Sequence, residues 1–179
     1  MWKWRVFSFI LSSSILPFAG ASYHVIIDGG ALHLRGALVA PACTVATGSR
    51  SQVVDMGQVR SNQFNGTGSD ALPVSFFIRL TDCTTVASRN VGITFWGQSD
   101  HVDPHILQIT SRMNAAQGVG IALFTAEGEP IHPNTMLPAV HTLHDGDNRL
   151  QFIAKYRATK PEVIGGIAEA TAWFSLTYP

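Results

Sequence analysis

Two cysteines and seven histidines are the side chains best equipped for chemistry in this 179-residue chain. Cys43 and Cys83 stand far apart, and neither belongs to a C-x-x-C pair. Two thiols alone do not make a zinc site, which takes four ligands. His101 and His105 have the i, i+4 spacing of a helix-borne metal pair, with Asp100 and Asp103 beside them. Pro104 sits between them and opposes the helix that would bring the two imidazoles together. His141 and His144 precede Asp145 and Asp147 in a stretch that reads as a turn. Both clusters read as solvated loop polarity rather than metal ligands. The chain has no G-x-S-x-G, no adjacent Cys/His pair, no P-loop and no dinucleotide fingerprint. Its few carboxylates are scattered, which gives no support to a glycosidase pair. The reading is a protein without catalytic residues, bound metal or cofactor.

Apolar residues make up 46% of the chain and charged residues 13%, which suits a folded domain rather than a disordered one. The formal net charge is zero. Without an excess of Lys and Arg there is nothing to neutralise phosphates, so nucleic acid is not an expected partner.

The first residues read as an address. Lys3 and Arg5 supply positive charge, Val6 to Phe18 is mostly apolar, and Ala19, Gly20 and Ala21 form a small-residue exit. This is the pattern of a secretory signal peptide over residues 1–21. The apolar run is too short to span a bilayer, which needs about 17–25 residues, and no membrane insertion is expected. Export makes a disulfide between Cys43 and Cys83 the simplest use of an even pair, ahead of a reactive thiol.

The remaining chain alternates. Val74, Phe76, Ile78 and Leu80 fall on one parity; so do Val91, Ile93 and Phe95, then Val119, Ile121 and Leu123. Leu150, Phe152, Ala154 and Tyr156 follow the rule, as do Ala170, Ala172, Phe174, Leu176 and Tyr178. Leu32, Leu34 and Leu38 give a further run. A period of two places each set on one face of a strand. Turn residues cluster at 65–70, 130–138 and 145–148. Asn65, Gly66 and Thr67 in the first cluster are a sequon by pattern and a plain turn signal. One short helical turn is expected between Asp103 and Gln117. The whole predicts an all-β antiparallel sandwich.

Two ends stand out. Tyr23, Val25 and Ile27 alternate in an arm that Gly29 and Gly30 separate from the body. The last apolar run reaches Tyr178, and Pro179 leaves no residues for a strand beside it. An apolar arm and an unfilled sheet edge are complementary, as in β-strand addition between neighbours. The alternative is that the arm is simply the first strand of its own sheet.

Several stretches resemble the subunits of chaperone–usher fimbriae, in particular the type 1 pilin group and its fimbrin-like minor subunit. They are Ile27 to Gly30 with Leu32 to Gly36, Ala42 to Val45, Asp55 to Val59 and Phe77 to Cys83. Phe152 to Thr159, Gly165 with Gly166, and Trp173 to Tyr178 complete the set. The resemblance implies an incomplete immunoglobulin-like sandwich over residues 31–179, completed by a donated strand. It implies a donor arm over residues 22–30, with Tyr23, Val25, Ile27 and Gly29 on the inserting face. It assigns the groove edge and chaperone contact to Gly165, Ala172, Phe174, Leu176, Tyr178 and Pro179. The implied partners are a periplasmic chaperone, an outer-membrane usher and neighbouring subunits, and the implied destination is a fimbrium on the cell surface. The competing readings are a tip adhesin that binds sugar and a self-contained secreted binding module. The first calls for a separate lectin domain, for which the length leaves no room.

Overall fold

The computed structural model describes residues 42–136 and 138–179. The expected leader, the arm and the run from Leu32 to Leu38 lie outside the described residues. Nine strands are described: β1 (Thr44–Val45), β2 (Val74–Cys83), β3 (Asn90–Gly97), β4 (Leu107–Gln108) and β5 (Val119–Thr125), then β6 (Pro130–Ile131), β7 (Ala139–Thr142), β8 (Gly146–Ala158) and β9 (Ala172–Thr177). One sheet has the order β1-β2-β8-β5-β4, with β6 paired to β5. The other has the order β7-β3-β9. Every strand pair is antiparallel. The predicted fold class holds: the chain is an all-β antiparallel sandwich.

Alternation explains the layers. In β8, Leu150, Phe152, Ala154, Tyr156 and Ala158 are buried between the sheets, while Arg149, Gln151, Ile153, Lys155 and Arg157 face outward. β2 matches it in register, Phe76 opposite Phe152 and Ile78 opposite Leu150. Phe152 is completely buried. Its ring lies 5.6 Å from Phe76 on the same sheet and 5.2 Å from Phe95 on the facing sheet. These tilted and edge-on contacts lock the two sheets together. β5 is buried on both faces. Its outward residues Ala122 and Phe124 pack with Ile106 and Ile153 in a small second cluster. Gly120 admits that cover, because a Cβ there would stand 2.6 Å from Ile106 Cδ1.

Three sequence expectations fail. Asp103 to Gln117 holds turns and β4, not a helix; the one α-helical turn, α1, is Thr47–Arg50. Ser49 of α1 is buried, and its hydroxyl accepts the Arg79 N–H at 3.0 Å. The cluster at 145–148 is not all turn, because β8 already begins at Gly146. There the buried Asn148 side chain accepts the His144 N–H at 2.9 Å and donates to the His144 carbonyl at 2.7 Å. This local side-chain pairing satisfies a tight entry into β8. His141, taken as a loop residue, lies in β7 opposite Val91.

Cys43 and Cys83 form the expected disulfide, and both are buried. The bridge ties the start of β1 to the end of β2, where the ladder bulges between Leu80 and Cys83 and Asp82 takes a φ of 53°. The Thr84 N–H donates to the Ala42 carbonyl at 2.8 Å beside it. The closed loop spans 40 residues, and closure of such a loop in the unfolded chain is worth about 4 kcal/mol. Replacing both cysteines, Cys43→Ala with Cys83→Ala, is expected to lower the unfolding free energy by about 3–4 kcal/mol in urea titration. An unchanged urea midpoint would mean that the bridge does not constrain the unfolded chain.

Candidate functional site

β9 is the element on which the candidate site turns. It pairs with β3 from Gly92↔Thr177 to Gly97↔Ala172. No second described strand lies along its other edge. Beside that edge runs a groove of about 1790 Å³ between the sheets. Its floor is apolar. Ile78, Phe95, Leu107 and Ile121 are buried at depth, and Phe76 and Phe174 are half-buried nearer the mouth. One rim is the segment from Cys43 to Phe64, and the other is Val163 to Phe174.

Each rim is fixed by hydrogen bonds. The Tyr156 hydroxyl donates to the Ala168 carbonyl at 2.9 Å and holds the second rim to the floor. Gln117 and Ile164 exchange backbone hydrogen bonds at 3.0 Å, and the Thr110 N–H donates to the Glu169 carbonyl at 2.7 Å. Arg112 and Glu169 add an exposed ion pair at 2.9 Å. The Tyr178 hydroxyl points across to the Cys43 carbonyl at 3.4 Å, linking β9 to the first rim. Burial pushes the ionisation of Tyr156 and Tyr178 upward, so both remain donors at neutral pH.

The structure gathers most of the residues singled out from sequence. Phe174 and Leu176 of β9 and Tyr178 just beyond it pack on the core, and Ala172 and Gly165 line the groove. The two adjacent glycines part company. A Cβ on Gly166 would stand 2.6 Å from backbone atoms of residues 114–116, so a close backbone approach requires glycine there. A Cβ on Gly165 would meet nothing within 4 Å. Gly165 therefore leaves open space at the mouth. The Pro179 oxygen accepts the Ser88 hydroxyl at 3.0 Å. Tyr23, Val25, Ile27 and Gly29 lie outside the described residues.

The first rim was not legible in advance. Val53, Val54, Met56 and Val59 interrupt a polar stretch without sustained alternation, and the resemblance at Ala42 to Val45 and Asp55 to Val59 assigned the segment no part in the groove. Trp96 and Trp173 are opposite each other on the outward face of β3 and β9, with Trp96 Nε1 donating to Ser175 Oγ at 3.0 Å. No group of three or more metal-ligating side chains occurs among the described residues. His105 stacks on His132 with ring centroids 4.4 Å apart. No described helix is long and apolar enough to cross a membrane.

Comparisons with known proteins agree on one family. The model of the family described as fimbrial protein matches residues 32–179. The uncharacterized fimbrial-like protein SfmA of Escherichia coli K12 is 35% identical, over 98% of this chain and 99% of its own. The fimbrin-like protein FimI of Salmonella typhi is 38% identical, over 87% of this chain and 88% of its own. The crystal structure of a type I fimbria protein of Burkholderia pseudomallei is 35% identical and superposes with a TM-score of 0.60, over 78% of this chain and 91% of its own. The P pilus rod subunit PapA, 23% identical with a TM-score of 0.64, covers 78% of this chain and 100% of its own and shares the fold.

His141 corrects the loop reading with a chemical consequence. Its ring stands edge-on to Phe152 at 5.2 Å. Its Nε2 is buried without a hydrogen-bond partner. Burial lowers its pKa below the ordinary 6.5, and the nearby Glu127 opposes this more weakly. The folded chain thus binds the proton less readily than the unfolded chain. Stability from this group is full above about pH 6.5 and falls as pH drops below it. Urea midpoints measured between pH 7.5 and 5 should fall for the natural chain, and His141→Leu should flatten the decline below pH 6.5. Identical slopes would show that the histidine is freely protonated in place.

Proposed function

Since the chain belongs to the fimbrial protein family, we propose that it is a minor structural subunit of a type 1-like surface fimbria, completed by a strand from a neighbour. The observation that carries this is the groove beside β9. An apolar floor lies next to a strand that, among the described residues, is paired on one side only, and such an edge invites another strand. A segment of nine residues extends about 30 Å in β conformation. It supplies a row of backbone hydrogen bonds to β9 while alternate side chains enter the groove. Burial of three large apolar side chains contributes roughly 1.5–3 kcal/mol each, before ordering costs.

In this reading residues 1–21 direct export and residues 22–30 are the donor arm. Residues 31–179 are the accepting domain. Tyr23, Val25 and Ile27 enter the groove of the next subunit, and Gly29 sits where no side chain fits. A periplasmic chaperone occupies the groove first and contacts β9, Tyr178 and Pro179. Pro179 has no N–H to give a partner strand, so pairing ends at or before Tyr178. An outer-membrane usher then exchanges the chaperone strand for the arm of a neighbour. The function is strand complementation, and it requires no catalytic residue or cofactor. Contribution to cell adhesion follows from place in the fibre.

The test is a thermal melt of the exported chain lacking residues 22–30, with and without a peptide copying that arm. A ligand that binds only the folded state raises the melting temperature; at a hundredfold excess over Kd the gain is about 2.7 kcal/mol. The peptide is expected to raise the melting temperature by several degrees, and a peptide carrying Ile27→Asp should not, because it would bury a charge. Full stability without peptide, and indifference to it, would mean a self-contained sandwich.

A further inference from the structure

On the outward face of the larger sheet, away from Phe76, Ile78 and Phe152, two arginines oppose each other. Arg79 of β2 and Arg149 of β8 are register partners, and both are exposed. Like charges directly opposite on neighbouring strands repel. Neither pairs with a carboxylate among the described residues, although Lys155 and Arg157 farther along β8 share Asp70. The Arg149 guanidinium carbon stands over Phe77, 3.4 Å from the ring centroid and within stacking distance. Stacking holds the guanidinium plane and leaves its N–H edge available for a bidentate acceptor.

Both arginines line a cleft of about 550 Å³, with Ser75 on the sheet and Gln52 on the facing loop. Asp55 lines it too, but its Oδ1 accepts the Gly57 N–H at 2.9 Å within its own turn. We propose that this cleft binds the sulfate or carboxylate group of an acidic saccharide. Arg149 holds the oxyanion in bidentate fashion, and Arg79 supplies the second charge. The anion replaces the repulsion between the two guanidiniums with attraction to both. The volume falls in the range of small-ligand sites, roughly 300–1,000 Å³, well above what a free ion fills. The remaining space beside Ser75 and Gln52 accommodates a sugar ring and its hydroxyls. The cleft adjoins the groove: the loop carrying Gln52 and Asp55 lines both, whereas Arg79 and Arg149 line the cleft alone.

The test is calorimetric titration of the full exported chain, in the assembly in which it purifies, at fixed ionic strength. The probes are sodium sulfate, a sulfated disaccharide and its unsulfated counterpart. The sulfated disaccharide is expected to bind at least tenfold more tightly than sulfate, and the unsulfated sugar not measurably. Arg79→Gln and Arg149→Gln should each weaken binding about tenfold or more. Arg149→Lys should weaken it as well, since it keeps charge and removes the planar fork. Arg89→Gln, the same charge change at an exposed arginine that lines neither the cleft nor the groove, should leave affinity intact. In anion-free buffer Arg79→Gln should melt no lower than the natural chain, because it removes a like charge. Binding equal for sulfate and the sulfated sugar, binding that survives both glutamine changes, or equal loss with Arg89→Gln would each overturn the proposal. So would the absence of binding by every probe.

Discussion

The contact between Phe152 and Phe95 joins the two sheets, and most of the remaining structure is arranged around it. Phe152 stands at the middle of β8, the longest strand, with β2 on one side and β5 on the other. Phe95 stands toward the end of β3, which carries both β7 and β9. Phe76 and Phe174 extend the cluster toward the groove mouth, at 6.2 and 6.5 Å from Phe95. The groove floor and the sandwich core are therefore one apolar body. A ligand that fills the groove packs against the residues that hold the sheets together. Stability and occupancy are coupled by geometry.

How much of this was legible in the sequence follows from how each element earns its place. β2, β8 and β9 bury one face and expose the other; β3 and β5 are covered on both faces, yet Val91, Ile93 and Phe95, and Val119, Ile121 and Leu123, still share one parity, so period-two alternation reports all five. Phe76, Phe152 and Phe174 were on the predicted inward parity for this reason. The short elements carry no such pattern. β4 and β6 have two residues each, too few for any period, and exist because β5 already stands beside them. β7 begins next to Pro138 in a turn-rich stretch, and its pairing with β3 comes from tertiary context. Asn148 reads as a turn former and is one locally, yet the backbone it satisfies enters a strand.

The site divides along the same line. The β9 side of the groove was visible because Ala172, Phe174, Leu176 and Tyr178 alternate. The opposite rim was not, because Val53, Val54 and Met56 sit on a loop whose course is set by the disulfide and by Ser49 bound to Arg79. The roles of Gly165 and Gly166 separate only in three dimensions. The reason is the backbone of residues 114–116, far away in sequence and pressed against one glycine alone.

The hydroxyl of Tyr178 reaches the carbonyl of Cys43 across 135 positions of sequence. β3 and β9, which share Phe95 and Phe174, are likewise distant along the chain. Such non-local closures are slow, because each must overcome the entropy of a long intervening loop before any contact rewards it. The groove has one rim from each end of the described chain, so no fragment of the chain contains it. A molecule that recognises the groove therefore cannot engage a partly made or partly folded subunit. Recognition of the site is at the same time an inspection of the whole fold.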